Sequence, residues 1–359
     1  MGVAAVAALA LGQSWGAWLD PIVDAGRDLY VPERLRAGER LYRDLLYFYP
    51  PLTPYLLAAL TAVTGSSLAA YAGIGLGIAG ASATALWCLV RPLAGPLAAG
   101  SALLLFASFN LAGVSGWGSN YLFPYAHAAT LAMLFFLAAA ALLGSHFFRA
   151  RRRWQIPAAL ALLLAASWTK IEYAAFGLVL VVFAVVVHRV RWTWLAAYLV
   201  AAAGSLGLAL AVFGAGALSA NVLPPSLLAG DAAGHFYGAV TGASRLWVNV
   251  LWALRGASLV GVFTLLLAAL ARELGGDRRR PFVLVLLSLL LAAAGFLLAG
   301  EGFFRAWSLL LPALVVFALR RPRQPLLFLA LVTLCAASRI YWNLVPSWYG
   351  FVFTLPLYA

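Results

Sequence analysis

The sequence is poor in charged residues, and this scarcity excludes several classes of protein. Charged residues make up 10% of the 359 positions, against about 25% in an ordinary soluble domain. The chain is instead 65% hydrophobic, with a mean hydropathy of +0.96. It cannot cover itself with a water-compatible surface, so a soluble enzyme and a disordered chain are both excluded. The composition predicts a polytopic, all-α integral membrane protein.

Lysine and cysteine are also scarce. Lys170 is the only lysine, and the net charge of +13 is carried by arginines that lie between apolar runs. Because these arginines do not form one patch, we expect no nucleic-acid partner. Cys88 and Cys335 both lie inside apolar runs and offer neither a disulfide framework nor a metal-ligand spacing. We therefore expect no cofactor, and the sequence gives no support for a divalent metal.

Long apolar runs make up most of the sequence. A helix needs about 20 mostly apolar residues to cross a bilayer, and runs of about that length lie at 67–90, 93–112, 121–144, 194–215, 248–271 and 281–299. Shorter runs lie at 3–17, 155–169, 173–188, 306–319 and 325–338, and residues 351–359 resemble the beginning of a further helix. We expect a single domain, 1–359, with about 12 transmembrane helices and a truncated C-terminal end.

The run 51–64 decides the orientation of the bundle. It has about 14 residues and follows prolines, which favours an interfacial or re-entrant segment over a span. Without a crossing there, one side of the membrane carries only Glu273 and Asp277 as acids, and the positive-inside rule makes it cytoplasmic. Its arginines are Arg91, Arg149, Arg151, Arg152, Arg153, Arg189, Arg191, Arg272, Arg278, Arg279, Arg280, Arg320, Arg321 and Arg323. The polar loop 18–66 then faces the exterior of a cell (inner) membrane, and we expect juxtamembrane helices in it.

Short motifs follow one another along the chain in a recognisable order. Loop 18–66 holds an Asp soon after the first apolar run, then Arg-x-x-Tyr at 27–30, Gly-x-x-Leu-Tyr-Arg-Asp at 38–44 and Tyr-Pro-Pro-Leu at 49–52. Asn-Tyr-Leu-Phe-Pro-Tyr at 120–125, Thr-Lys-Ile-Glu at 169–172 and Tyr-Gly at 349–350 come later. This series resembles the GT-C membrane glycosyltransferases, above all the family 39 group of protein O-mannosyltransferases and the lipid A aminoarabinose transferase.

The resemblance implies a reaction and a set of residues. These enzymes use polyprenyl-phosphate sugars as donors, so it implies inverting transfer of a monosaccharide to a hydroxyl of an unknown acceptor. It implies a carboxylate base at the start of the first external loop: Asp24, with Asp20 as the second candidate. The motif residues expected at the substrates are Arg27, Asp28, Tyr30, Tyr49, Tyr55, Asn120, Tyr125, Lys170, Glu172 and Tyr349. Arg255, Arg305 and Arg339 are added because guanidinium groups suit phosphate oxygens.

Each of these residues also has a purely structural interpretation. Asp24, Arg27 and Asp28 share one helical face, as the ion pairs of a solvated surface helix would. Lys170 and Glu172 form a local pair at a helix break, and the three arginines reach the membrane interface as snorkelling side chains. At the level of the whole protein, the alternative function is a polytopic transporter or lipid flippase without glycosyl transfer.

Overall fold

The computed structural model describes residues 2–16, 24–111, 120–188, 190–222, 235, 238–273, 280–320 and 324–342. Within these ranges every regular element is helical, and the only strand-like feature is an isolated bridge between Leu41 and Leu45. The predicted all-α class is therefore confirmed for the described part of the chain.

The helices of the described residues have the following bounds. In chain order they are α1 Gly2–Ser14, α2 Asp24–Arg36, α3 Leu52–Thr64, α4 Leu68–Ala94, α5 Pro96–Phe106, α6 His127–Phe148, α7 Gln155–Thr169, α8 Glu172–Val186, α9 Thr193–Phe213, α10 Ala215–Asn221, α11 Leu246–Glu273, α12 Arg280–Ala299, α13 Gly302–Arg305, α14 Trp307–Arg320 and α15 Gln324–Ala337. A π-helical turn, Ala107–Leu111, extends α5, and 3₁₀ turns flank α11 and α15.

Five helical stretches are long and apolar enough to cross a membrane. They are Leu68–Ala94, His127–Phe148, Thr193–Phe213, Ala243–Glu273 and Gly302–Arg320. These stretches support an α-helical membrane protein, while the count of about 12 spans stays a prediction. Helix α3 has 13 residues, or about 20 Å at 1.5 Å per residue, against a hydrocarbon core of about 30 Å. Its predicted failure to cross also stays a prediction.

Helix α6 forms the centre of the bundle. Two thirds (67%) of its most apolar window is buried, against 11% for α9 and 11% for the stretch 243–273. The outer helices expose large apolar side chains; Val200, Leu208, Trp247 and Leu265 are each more than half exposed. Leaving so much apolar surface in water is unfavourable, and it is the surface expected of helices in contact with lipid.

One predicted helix boundary is wrong. The apolar run that begins at 121 becomes helical only at His127. Residues 120–126 form a buried segment that is not helical. Pro124 has no backbone N–H and disfavours a helical conformation at Phe123. The side-chain oxygen of Asn120 instead accepts a hydrogen bond from the Phe123 N–H at 2.9 Å, which stabilises the turn.

A close backbone approach fixes this segment against α4. A Cβ atom added to Gly75 would overlap the carbonyl oxygens of Tyr121 and Leu122, which cannot rotate away as a side chain would. We expect Gly75→Ala to destabilise the protein by roughly 1–3 kcal/mol through this overlap. Gly77→Ala is the matched control, since nothing lies within 4 Å of a Cβ there. Thermal unfolding in detergent measures both variants, and equal melting temperatures would contradict the predicted clash.

Candidate functional site

Four separate segments meet at a buried group of polar side chains. They are helix α2, the loop before α3, the segment 120–126 with the first turn of α6, and the break between α7 and α8. Their side chains are Arg27, Asp28, Tyr49, Tyr125, His127 and Lys170, which together we name the charge cluster. Asp28, His127 and Lys170 are each at most 5% exposed. Buried charged groups are costly unless they are paired, and within membrane proteins they mark functional sites.

Asp28 and His127 form the deepest contact of the charge cluster. Asp28 Oδ2 accepts a hydrogen bond from the backbone N–H of His127 at 2.5 Å and lies 3.1 Å from His127 Nδ1. His127 begins α6, and the preceding residue, Ala126, has no side chain that could cap the helix. The carboxylate of Asp28 therefore takes the place of a local cap, where the helix dipole favours negative charge. This contact fixes α2 to the central helix.

We expect Asp28→Ala to destabilise the protein by roughly 1–3 kcal/mol, because it leaves buried donors of His127 without their acceptor. Glu33→Ala is the matched control, since Glu33 lies on the same helix with its side chain exposed. Thermal unfolding of both variants in one detergent measures the effect. An equal loss of stability in the two variants would contradict the prediction. It would show that any substitution in helix α2 destabilises the protein, whether or not it removes the contact with His127.

Two cationic groups contact the aromatic ring of Tyr49. The guanidinium carbon of Arg27 lies 4.7 Å from the ring centroid, and Lys170 Nζ lies 4.8 Å from it. Arg27 also lies 5.7 Å from the ring centroid of Tyr47, which packs edge-on against Tyr49. Such cation–π contacts contribute about 0.5–2 kcal/mol and orient the cations without neutralising them. The arrangement brings two positive charges from distant parts of the chain to one place.

Lys170 lies at the break between two helices. Helix α7 ends at Thr169, and Lys170 adopts extended backbone angles before α8 begins at Glu172. Lys170 Nζ donates a hydrogen bond to the Tyr125 hydroxyl at 3.1 Å and lies 3.6 Å from a Glu172 oxygen. The predicted ion pair at a helix break is thus present. The same ammonium group also belongs to the charge cluster, so the ion pair by itself does not decide between the two interpretations of Lys170.

Tyr47 supplies a phenol beside the charge cluster. Its side chain is fully buried, and its hydroxyl has no hydrogen-bond partner among the described residues. Burial raises the pKa of Tyr47 well above its usual value, and the nearby charge of Asp28 adds to the shift. The phenol therefore stays protonated at physiological pH and can donate a hydrogen bond.

Four further motif residues predicted at the substrates are exposed or have a structural contact. Tyr30 and Tyr55 are 55% and 45% exposed, and Arg34 lies over the ring of Tyr30. Asn120 is buried and holds the turn before α6. Glu172 is 32% exposed and reaches the charge cluster through Lys170.

The arginines expected at a lipid phosphate have contacts elsewhere. Arg255 donates a hydrogen bond to the carbonyl of Leu298 at 2.7 Å and lies over the ring of Trp252. Arg305 pairs with Glu301 at 3.1 Å. These described contacts lie within α11 to α14 and their connections, so neither arginine is placed at the charge cluster by them.

The remaining predicted residues are described in part or not at all. Asp24 is the first residue of α2, and Arg339 lies in the 3₁₀ turn after α15, but the side chains of both are outside the described part of the structure. Asp20 and Tyr349 lie wholly outside the described residues.

His127 is the residue whose part in the site was missed from the sequence, where it reads as a packing residue within a span. The signal that was available is the absence of a capping side chain before it: a long buried helix that starts after Ala126 needs an acceptor from elsewhere in the chain. Its Nε2 is buried and has no hydrogen-bond partner among the described residues.

Comparison with known proteins does not assign this chain to a family. The chain matches no family model, no curated protein sequence and no solved structure. Within the described residues, no three His, Cys, Asp or Glu side chains are grouped so that they could hold a metal ion.

Proposed function

We propose that this protein transfers a monosaccharide from a polyprenyl-phosphate donor to an acceptor hydroxyl, with inversion at the anomeric carbon. The observation that supports it most is the convergence of Arg27 and Lys170 on the ring of Tyr49. A departing lipid phosphate carries negative charge over several oxygens and needs cationic partners more than a proton donor. One buried cation, Lys170, and one half-buried cation, Arg27, beside a tyrosine ring meet that need.

Asp24 is the proposed base. It begins α2, one turn before Arg27 and Asp28, which are both in the charge cluster. Asp28 Oδ2 is engaged with the first turn of α6, so we assign Asp28 to positioning the helices; its Oδ1 lies 3.9 Å from Arg27 Nε. A carboxylate that accepts the hydroxyl proton permits a single displacement at the anomeric carbon, and a single displacement inverts it. Asp20 remains the second candidate.

The position of the charge cluster on α6 supports a reaction on the extracytoplasmic side. The charge cluster lies at the first residue of α6, whereas Arg149, Arg151, Arg152 and Arg153 follow its last residue. The helix has 22 residues and is about 33 Å long, which matches the thickness of a bilayer core. If the arginines are cytoplasmic, as the positive-inside rule predicts, the charge cluster lies at the opposite surface.

A transporter or lipid flippase is the second candidate. Transporters bind substrates at discontinuous helices, and Lys170 is a buried charge at the break between α7 and α8. Such a protein would move the lipid-linked sugar between leaflets and leave the glycosidic bond intact.

One experiment separates the two candidates. The purified protein is reconstituted in liposomes with a polyprenyl phosphate that carries a radiolabelled sugar, and candidate lipid, peptide and polysaccharide acceptors are added outside. Transfer is measured as label on the acceptor, and movement between leaflets as label that becomes accessible to an external glycosidase. We expect label on one acceptor class and unchanged leaflet distribution. Movement without transfer would refute the glycosyltransferase and support the flippase.

A further inference from the structure

A second polar site lies at the opposite end of α6 from the charge cluster. It is a cavity of about 230 Å³, which we name the arginine–histidine cavity. It is lined by His146 and Phe147 at the end of α6, Arg151 in the following connection, and His188, Arg191 and Trp194 around the start of α9. Two guanidinium groups and two imidazoles thus surround one space, and no acidic side chain lines it.

The positive-inside rule by itself does not explain this arrangement. It requires arginines on the cytoplasmic side of the membrane, but it does not require them to converge on a cavity. Arg152 and Arg153 satisfy the rule from the same connection and are not part of the lining, whereas Arg151 and Arg191, which are exposed as well, both line the cavity. Arg151 and Arg191 come from different connections, and both line the cavity because α7 and α8 pack against α6.

The imidazole of His188 is held rigidly in the wall of the cavity. Its ring stacks on Phe147 at a centroid distance of 4.1 Å and an angle of 2°. Phe148 and Phe183 contact it edge-on at 5.0 and 5.3 Å. His188 Nε2 and His146 Nδ1 are buried and have no hydrogen-bond partner among the described residues. Two oriented ring nitrogens and two cations are what a phosphate group with several acceptor oxygens would bind.

We propose that the arginine–histidine cavity binds a phosphate group, and that an anionic phospholipid at the cytoplasmic surface is its source. The lipid source is favoured by the apolar lining, to which Ile156, Val190 and Trp194 belong. Trp192 and Val186, close to the cavity in the chain, are each 70% exposed, as side chains at a membrane interface would be. The chemistry is shared with soluble phosphate esters, so the test must distinguish the two sources.

The binding test uses the full chain in detergent, with dihexanoyl phosphatidylglycerol, dihexanoyl phosphatidylcholine and glycerol 3-phosphate as separate ligands, at pH 6.5. Binding is followed by the shift in thermal unfolding temperature and by native mass spectrometry. We expect phosphatidylglycerol to bind at least about tenfold more tightly than the other two. Equal binding of glycerol 3-phosphate would assign the cavity to a soluble ester, and failure of both phosphate ligands to bind would overturn the proposal.

Two double variants test whether phosphatidylglycerol binding depends on the cavity itself or only on the positive charge of this side of the protein. Arg151→Gln with Arg191→Gln removes both cations of the cavity, and we expect roughly a tenfold or greater loss of phosphatidylglycerol binding. Arg152→Gln with Arg153→Gln removes the same charge from the same side, and binding should change by less than about twofold. Equal losses in the two double variants would refute a site at the cavity.

Binding should also weaken as the pH rises. Burial lowers the pKa of His188, with Arg151 and His146 adding to the effect, so the free cavity favours the neutral imidazole. Arg191 is the other charged group in the lining, and the residues of α7 and α9 that line it are uncharged. A bound phosphate favours the protonated imidazole, so binding takes up protons and is tighter at pH 5.5 than at pH 7.5. In His188→Gln this dependence should be smaller, and an unchanged pH dependence would exclude His188 from the site.

Discussion

Asp24→Asn is expected to lower the rate of sugar transfer by about 10²–10⁴-fold, which is the contribution of a positioned general base. The amide has nearly the same shape as the carboxylate but cannot accept the proton of the acceptor hydroxyl. Asp24 begins α2, and Arg27 of the charge cluster follows three positions later in the same helix. Donor binding should change little, because Arg27 and Lys170, which we propose hold the lipid phosphate, are unaltered. The measurement is kcat and KM for the donor in liposomes.

Asp44→Asn is the control for this prediction. Asp44 lies in the same loop, is exposed, and accepts a hydrogen bond from the backbone of Arg40. Its replacement should leave transfer within about twofold of wild type. Full activity in Asp24→Asn together with a large loss in Asp20→Asn would move the base to Asp20. Full activity in both variants would exclude a carboxylate of this segment as the base.

The helical framework could be predicted well because it depends on local properties of the chain. The apolar run 155–169 matches α7 to the residue, and the polar pair Lys170 and Glu172 correctly marks the break before α8. The predicted runs 194–215 and 248–271 differ from α9 and α11 by only one or two residues at each end. Apolar run length and helix-breaking residues are both visible in a single sequence.

The pairing inside the charge cluster could be predicted only in part. The family resemblance predicts the motif residues Arg27, Tyr49, Tyr125 and Lys170 at the substrates. The structure brings these side chains together, while their binding of substrate stays a prediction. The contact between Asp28 and His127 joins residues 99 positions apart, and nothing local in the sequence signals which carboxylate will cap which helix. The phosphate role of Arg255 and Arg305 stays a prediction, since their described contacts are with a backbone carbonyl and a neighbouring carboxylate, groups that also suit a guanidinium.

Lys170→Gln is expected to lower kcat/KM for the donor by about 10²–10³-fold, the loss that follows removal of one electrostatic partner of a developing charge. Lys170 is buried, lies over the ring of Tyr49 and donates to Tyr125, so glutamine keeps much of the volume and a donor but removes the charge. Lys170→Arg keeps the charge but changes its shape, and we expect a loss of about tenfold. Steady-state kinetics with a polyprenyl-phosphate sugar measures both variants.

The alternative is that Lys170 only neutralises Glu172 at the helix break. In that case Glu172→Gln and Lys170→Gln should lower the unfolding temperature equally, and activity should follow stability in both. We expect Glu172→Gln to lose less than tenfold in kcat/KM, because Glu172 is one third exposed and Lys170 keeps its contacts with Tyr49 and Tyr125.

Arg34→Gln, which removes an exposed cation of α2 paired with Glu39, controls for a general loss of positive charge. A folded Lys170→Gln protein with wild-type kcat/KM would exclude Lys170 from the phosphate site and leave Arg27 as the only cation of the charge cluster to hold it.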